Sequence, residues 1–162
     1  MHILVELDGV IRGQNEAPIA AGVQLVGALS AWNQISYMSN LRTDEATQWM
    51  DVNKIVDFDV IIDASVGLEG ENLKERQVRW ARSRGQIDLI ITSDPSLWVY
   101  AFEQGITAVM FGHPNYLRAE FRPDVPKRVR SWDQIQEAVE KQNTARTQDA
   151  RLTRTESLNF EG

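Results

Sequence analysis

IDLIITSDPSLWVYAFEQGITAVMFGHPNY, residues 87–116, reads as a strand, a helix and a second strand in immediate succession. Ile87 to Thr92 is apolar at nearly every position, the pattern of a strand covered on both faces. Asp94 before Pro95 suits a helix entry, with Asp as N-cap and Pro at the first helical position. The spacing predicts a helix over 96–104, closed by Gly105, and then a strand from Ile106 to Phe111. Two buried strands joined by a helix make a parallel βαβ crossover, so this stretch decides the class of the fold.

The same alternation extends towards the N-terminus. Ile3 to Leu7, Ile35 to Met38 and Phe58 to Ile62 read as short strands. Helices are expected over 17–32, from Thr43 or Asp44 (either of which can cap it) to about Lys54, and over 71–84, with Gly85 as a C-cap. A last helix is expected over 131–142, capped by Ser131. This order predicts an α/β, three-layer Rossmann-like parallel sheet of about five strands, with helices on both faces and no large cap domain. The expected division is one domain over residues 1–142 and a polar tail over 143–162. That tail lacks periodicity and reads as disordered or as a docking segment, with Leu152, Leu158 and Phe160 as its apolar anchors.

Composition narrows the function. The 162 residues carry 43% apolar side chains, enough for a core without a disulfide or metal staple. With no cysteine there is no disulfide framework, cysteine-based zinc site or thiol catalysis. A net charge of −6 disfavours nucleic acid, and the basic group Arg118, Arg122, Lys127, Arg128 and Arg130 is interrupted by Glu120 and Asp124, as in a solvated face. No apolar run approaches the ~20 residues of a membrane span. MHILV is too short for a signal-peptide core, so a soluble, cytoplasmic protein is expected. His2 and His113 are isolated and read as structural, and most of the five tryptophans read as core.

In a parallel sheet, ligands bind beyond the carboxyl ends of the strands. Glu6, Asp8 and Gly9 follow the first strand. Ser39 and Asn40 follow the second, Asp63 and Ser65 the third, Thr92, Ser93 and Asp94 the fourth, and Gly112 and His113 the fifth. Acidic and hydroxyl groups should therefore meet on one edge, as a hard cation would require.

Taken in order, VELDGVI (5–11), YMSN (37–40), Lys74 and ITSDP (91–95) resemble the four motifs of the haloacid dehalogenase (HAD) phosphatases. Residues 87–116 and VRSWDQIQEAV (129–139) look like the capless nucleotidase-type branch of that family, and the resemblance covers roughly residues 2–140. It implies that Glu6 stands at the nucleophile and Asp8 at the general acid/base. It further implies that Ser39, helped by Asn40, and Lys74 (or Arg76 in its stead) hold a phosphoryl group. Mg2+ would be held by Glu6, Asp94 and residue 8.

Two departures weaken the implied activity. The family has aspartate where this chain has Glu6, whose stem is longer by about 1.5 Å. Misplacement by ~1 Å can cost ~100-fold in rate. Ser93 stands where the branch often has an acid, so Mg2+ binding should be weak. The expectation is a degenerate HAD-like domain serving as a binding or assembly module, in contact with a phosphate-containing ligand, copies of itself or a protein partner at its tail. The alternative is an active Mg2+-dependent phosphohydrolase. A third, weaker reading is a flavodoxin-like or response-regulator-like domain.

Overall fold

In a computed structural model, residues 1–13, 15–66, 72–113 and 130–148 are described. Five strands form one parallel sheet: β1 (His2–Glu6), β2 (Gln34–Met38), β3 (Val60–Ile62), β4 (Leu89–Thr92) and β5 (Thr107–Met110). The helices are α1 (Ala20–Ser30), α2 (Thr43–Val52), α3 (Leu73–Arg84), α4 (Pro95–Glu103) and α5 (Arg130–Gln148). The strand order is β3-β2-β1-β4-β5, with every pair parallel.

That order fixes where a ligand could sit. The chain winds outward from β1 to β3, then returns to place β4 on the other side of β1. The direction of winding reverses between β1 and β4, and the crevice of an open sheet lies at such a reversal. The flavodoxin-like reading requires the order 2-1-3-4-5 and is therefore excluded.

Alternation along the strands builds two cores. Ile3 and Val5 of β1, Ile35 and Tyr37 of β2, Ile61 and Ile91 face α1 and α2, against Val26, Ala46 and Met50. Leu4, Met38, Ile62 and Ile90 face α3 and α4, against Val78, Ala81, Leu97 and Ala101. Both faces of β1, β2 and β4 are thus buried, which accounts for their near-continuous apolar runs. The Tyr37 ring sits edge-on to Phe58 at 5.8 Å, and burial, with Asp57 adding to it, pushes its hydroxyl pKa up to about 12.

Boundaries differ from expectation by a few residues, with identifiable causes. α1 starts at Ala20 rather than 17, because the preceding backbone forms a short loop. Gly13 N–H donates to Ala17, Ile19 N–H donates to Ile11, and Arg12 pairs with Pro18. Gly22 lets α1 sit down on the turn after β1: a β-carbon there would fall 1.7 Å from the carbonyl oxygen of Val10. α2 receives its cap from a distance. Asp63 accepts from Thr43 N–H at 3.0 Å, and neither Thr43 nor Asp44 caps the helix. Gly85 follows α3 with φ 173°, in extended rather than left-handed backbone.

α5 begins one residue before Ser131 and runs on to Gln148, past the expected end at 142. No Gly or Pro interrupts residues 140–148, and Gln142 donates to the carbonyl of Phe102 at 3.0 Å. Trp32, one of the five tryptophans of which most were expected in the core, is 89% exposed just beyond α1. The basic stretch 118–129 and the tail anchors Leu152, Leu158 and Phe160 lie outside the described residues. Among the described residues no separate cap subdomain is present, and no helix is long and apolar enough to cross a membrane.

Candidate functional site at the sheet reversal

Glu6 ends β1 and faces the end of β4. Its backbone pairs with Met38 on one side, and Val5 pairs with Ile91 on the other. The residue is only 3% exposed. A buried carboxylate must be paired or hydrogen-bonded, and Glu6 is both. Oε1 is ion-paired with Lys74 Nζ. Oε2 accepts from Thr92 Oγ1 at 2.7 Å, from Ser93 N at 2.9 Å and from Ser93 Oγ at 3.2 Å. Four donors thus converge on a group with about four acceptor positions.

Lys74 enters from the first turn of α3, where Asn72 caps the helix by accepting from Lys74 N–H. Its ammonium also donates to Asp94 Oδ2 at 3.0 Å. Burial alone would lower the Lys74 pKa, but the charges of Glu6 and Asp94 outweigh it and raise the pKa above the ordinary lysine value. The other oxygen of Asp94 accepts from Ser96 N–H, so the same side chain caps α4 and binds the lysine.

Asp8 belongs to a neighbouring cluster. It lies in the tight turn Leu7–Ile11, whose Gly9 has φ 98°. Asp8 Oδ1 pairs with Arg12 Nη1 at 2.9 Å, and Oδ2 accepts from Asn40 N at 2.9 Å and from Ser39 Oγ at 3.4 Å. Ser39 is buried, its hydroxyl accepts from Leu41 N–H, and its carbonyl accepts from Gln77 Nε2 at 2.8 Å. The six expected residues therefore fall into two adjoining groups: Glu6, Lys74 and Asp94, and Asp8, Ser39 and Asn40.

For a cation the fit is poor in this arrangement. Glu6 and Asp94 share the ammonium of Lys74, while Asp8 is turned to Arg12 and Asn40. Among the described residues no three acidic or histidine side chains are grouped as a metal ligand set. A Mg2+ ion needs several oxygens in a near-octahedral shell, and the lysine charge sits where two of them would have to converge.

Asp63 and Ser65, also at a strand end, form a separate turn. Asp63 accepts from Ser65 Oγ at 2.6 Å and Thr43 Oγ1 at 2.6 Å, as well as from both backbone N–H groups, and these bonds lower its pKa to about 2. Its role is to join β3 to α2.

Two site residues were not singled out from the sequence. Arg12 is one. The four-residue spacing Asp8, Arg12, Glu16 was visible, and Arg12 pairs with both acids, but through a non-helical turn that this spacing does not reveal. Gln77 is the other: its amide donates to the carbonyls of Ser39, Ile62 and Asp63 and so ties the ends of β2 and β3 to α3. A polar residue beside Val78 on the inward face of α3 was the available sign. Trp98 stacks on Phe102 and donates to the carbonyl of Ala108, which accounts for it as packing.

No protein-family model, curated protein or solved structure matches this chain.

Proposed function

We propose that this chain is a degenerate HAD-like domain with little or no phosphatase activity, acting as a binding or assembly module. The observation that carries the reading is the saturation of Glu6. An attacking carboxylate needs an oxygen lone pair directed at phosphorus. Here the longer glutamate stem carries its carboxylate across to the end of β4, where Thr92 and Ser93 hold one oxygen and Lys74 holds the other. Asp8, at the acid/base position, is likewise engaged by Arg12 and Asn40. On this reading any Mg2+ binding is weak, because Lys74 already neutralises much of the charge that would attract the ion. Phosphate-containing ligands, a second copy of the chain, or a protein docking at the C-terminal segment are the partners it suggests.

The second reading, a Mg2+-dependent phosphohydrolase acting on a nucleotide or another phosphate monoester, draws its support from one relationship. Glu6, Asp8, Ser39, Lys74 and Asp94 lie at one edge of the sheet, beside the reversal between β1 and β4.

Hydrolysis of p-nitrophenyl phosphate and of nucleoside monophosphates in excess Mg2+ separates the two. The degenerate reading expects the wild-type chain to be no faster than Glu6→Ala, and Glu6→Asp to gain measurable turnover. Wild-type turnover well above the Glu6→Ala control would establish the second reading instead.

A further inference from the structure

We infer that the Asp8 carboxylate is a built-in occupant of an anion pocket made by the Arg12 guanidinium, the Asn40 N–H and the Ser39 hydroxyl, and that the phosphate of a small ligand enters by displacing it. The inference rests on the phosphate-binding half of the proposed function. It changes which cation meets the ligand: Arg12 rather than Lys74.

The charges argue for Arg12. Lys74 is already shared between two carboxylates, Glu6 and Asp94, so that group is negative by one charge and repels a phosphate. Arg12 touches two acids, Asp8 at 2.9 Å and Glu16 at 2.8 Å, of which only Asp8 is largely buried. Its second partner, Glu16, is 72% exposed and therefore well screened by water. The Arg12 Nε is buried without any hydrogen-bond acceptor among the described residues, so the guanidinium is not fully satisfied by its two acids. A planar guanidinium matches the paired oxygens of phosphate better than an ammonium does.

The pocket is also held in shape without Asp8. Arg12 N–H donates to the carbonyl of Leu7 at 2.8 Å, and Gly9 N–H donates to the carbonyl of Arg12 at 2.7 Å. Ser39 N–H is tied to the carbonyl of Ile62, and Gln77 holds the Ser39 carbonyl. The backbone that carries the donors is therefore held independently of Asp8, and an internal carboxylate competes with a free anion at high effective concentration. Removing that carboxylate abolishes both the competition and the repulsion.

The test is calorimetric titration of inorganic phosphate into the full chain at constant ionic strength, with Asp8→Ala, Asp8→Asn and Asp8→Ala/Arg12→Met beside the wild type. Asp8→Ala should bind phosphate at least about tenfold more tightly than wild type, a change of about 1.4 kcal/mol. The added Arg12→Met change should remove that gain. Asp8→Asn keeps the shape and loses the charge, so it should shift affinity in the same direction, and it decides the matter if Asp8→Ala does not fold. Equal affinity in wild type and both Asp8 variants overturns the inference. So does a gain that survives Arg12→Met, which would return anion recognition to Lys74. Wild-type hydrolysis would sink the inactive reading yet leave this binding comparison standing, so the two can fail separately.

Discussion

Gly9 and Ser93 approach so closely that a β-carbon on the glycine would lie 2.1 Å from the serine hydroxyl oxygen. The turn after β1 and the loop after β4 are therefore pressed together at the reversal of the sheet. That contact keeps Ser93 where its N–H and hydroxyl reach Glu6. Closeness at this point, together with the acid's length, determines what the Glu6 carboxylate can touch.

Gly9→Ala should be strongly destabilising. The φ of 98° is unfavourable for any L side chain, and the added methyl must displace Ser93. A loss of about 2–3 kcal/mol is expected from backbone strain and the clash together. Chemical denaturation followed by circular dichroism measures it, and an unchanged midpoint would contradict the close approach.

Lys74→Met should leave Glu6 and Asp94 as an unneutralised pair. Breaking a fully buried ion pair costs about 3–5 kcal/mol, and the partial exposure here reduces this to about 2 kcal/mol. Adding Glu6→Gln should recover part of the loss, because the remaining buried group is then neutral. The lysine has a raised pKa in the folded state, so its contribution is complete below the ordinary value of 10.5 and declines as pH rises past it. Thermal melts of the wild type above that pH should fall more steeply than those of Lys74→Met/Glu6→Gln, and parallel alkaline limbs would argue against the pairing.

Asp63 should govern part of the acid limb. Its folded pKa of about 2 lies below the ordinary 3.8, so its stabilisation is present above pH 4 and is lost as pH falls towards 2. Asp63→Ala should cost about 1 kcal/mol at neutral pH, as the loss of a helix cap does. Its stability should then decline less between pH 4 and 2 than that of the wild type. Identical acid limbs in the two proteins would remove Asp63 from this role.

Much of the fold was legible in the chain because burial leaves a local imprint. Leu4 and Val5 face opposite cores, so consecutive residues of β1 are all apolar, and IDLII shows the same sign. The cap at Asp94 and the left-handed Gly105 sit where their residue types work locally, whereas the Asn72 cap falls inside the helix expected over 71–84. Arg12 and Gln77 were not legible, since each acts through groups brought to it by the turn after β1 or by the ends of other strands. The cap on α2 was misplaced for the same reason: its acceptor, Asp63, is 20 residues away.

By itself the sequence determined a parallel α/β sheet and the set of polar groups carried at its strand ends, because strand, helix and turn preferences are read over a few neighbouring residues. Only the tertiary structure decided how those groups divide, with Lys74 going to Glu6 and Asp94, and Arg12 going to Asp8. Ion pairs and hydrogen bonds depend on distances of a few ångströms between atoms far apart in the chain, and those distances exist only once the sheet has reversed its winding between β1 and β4.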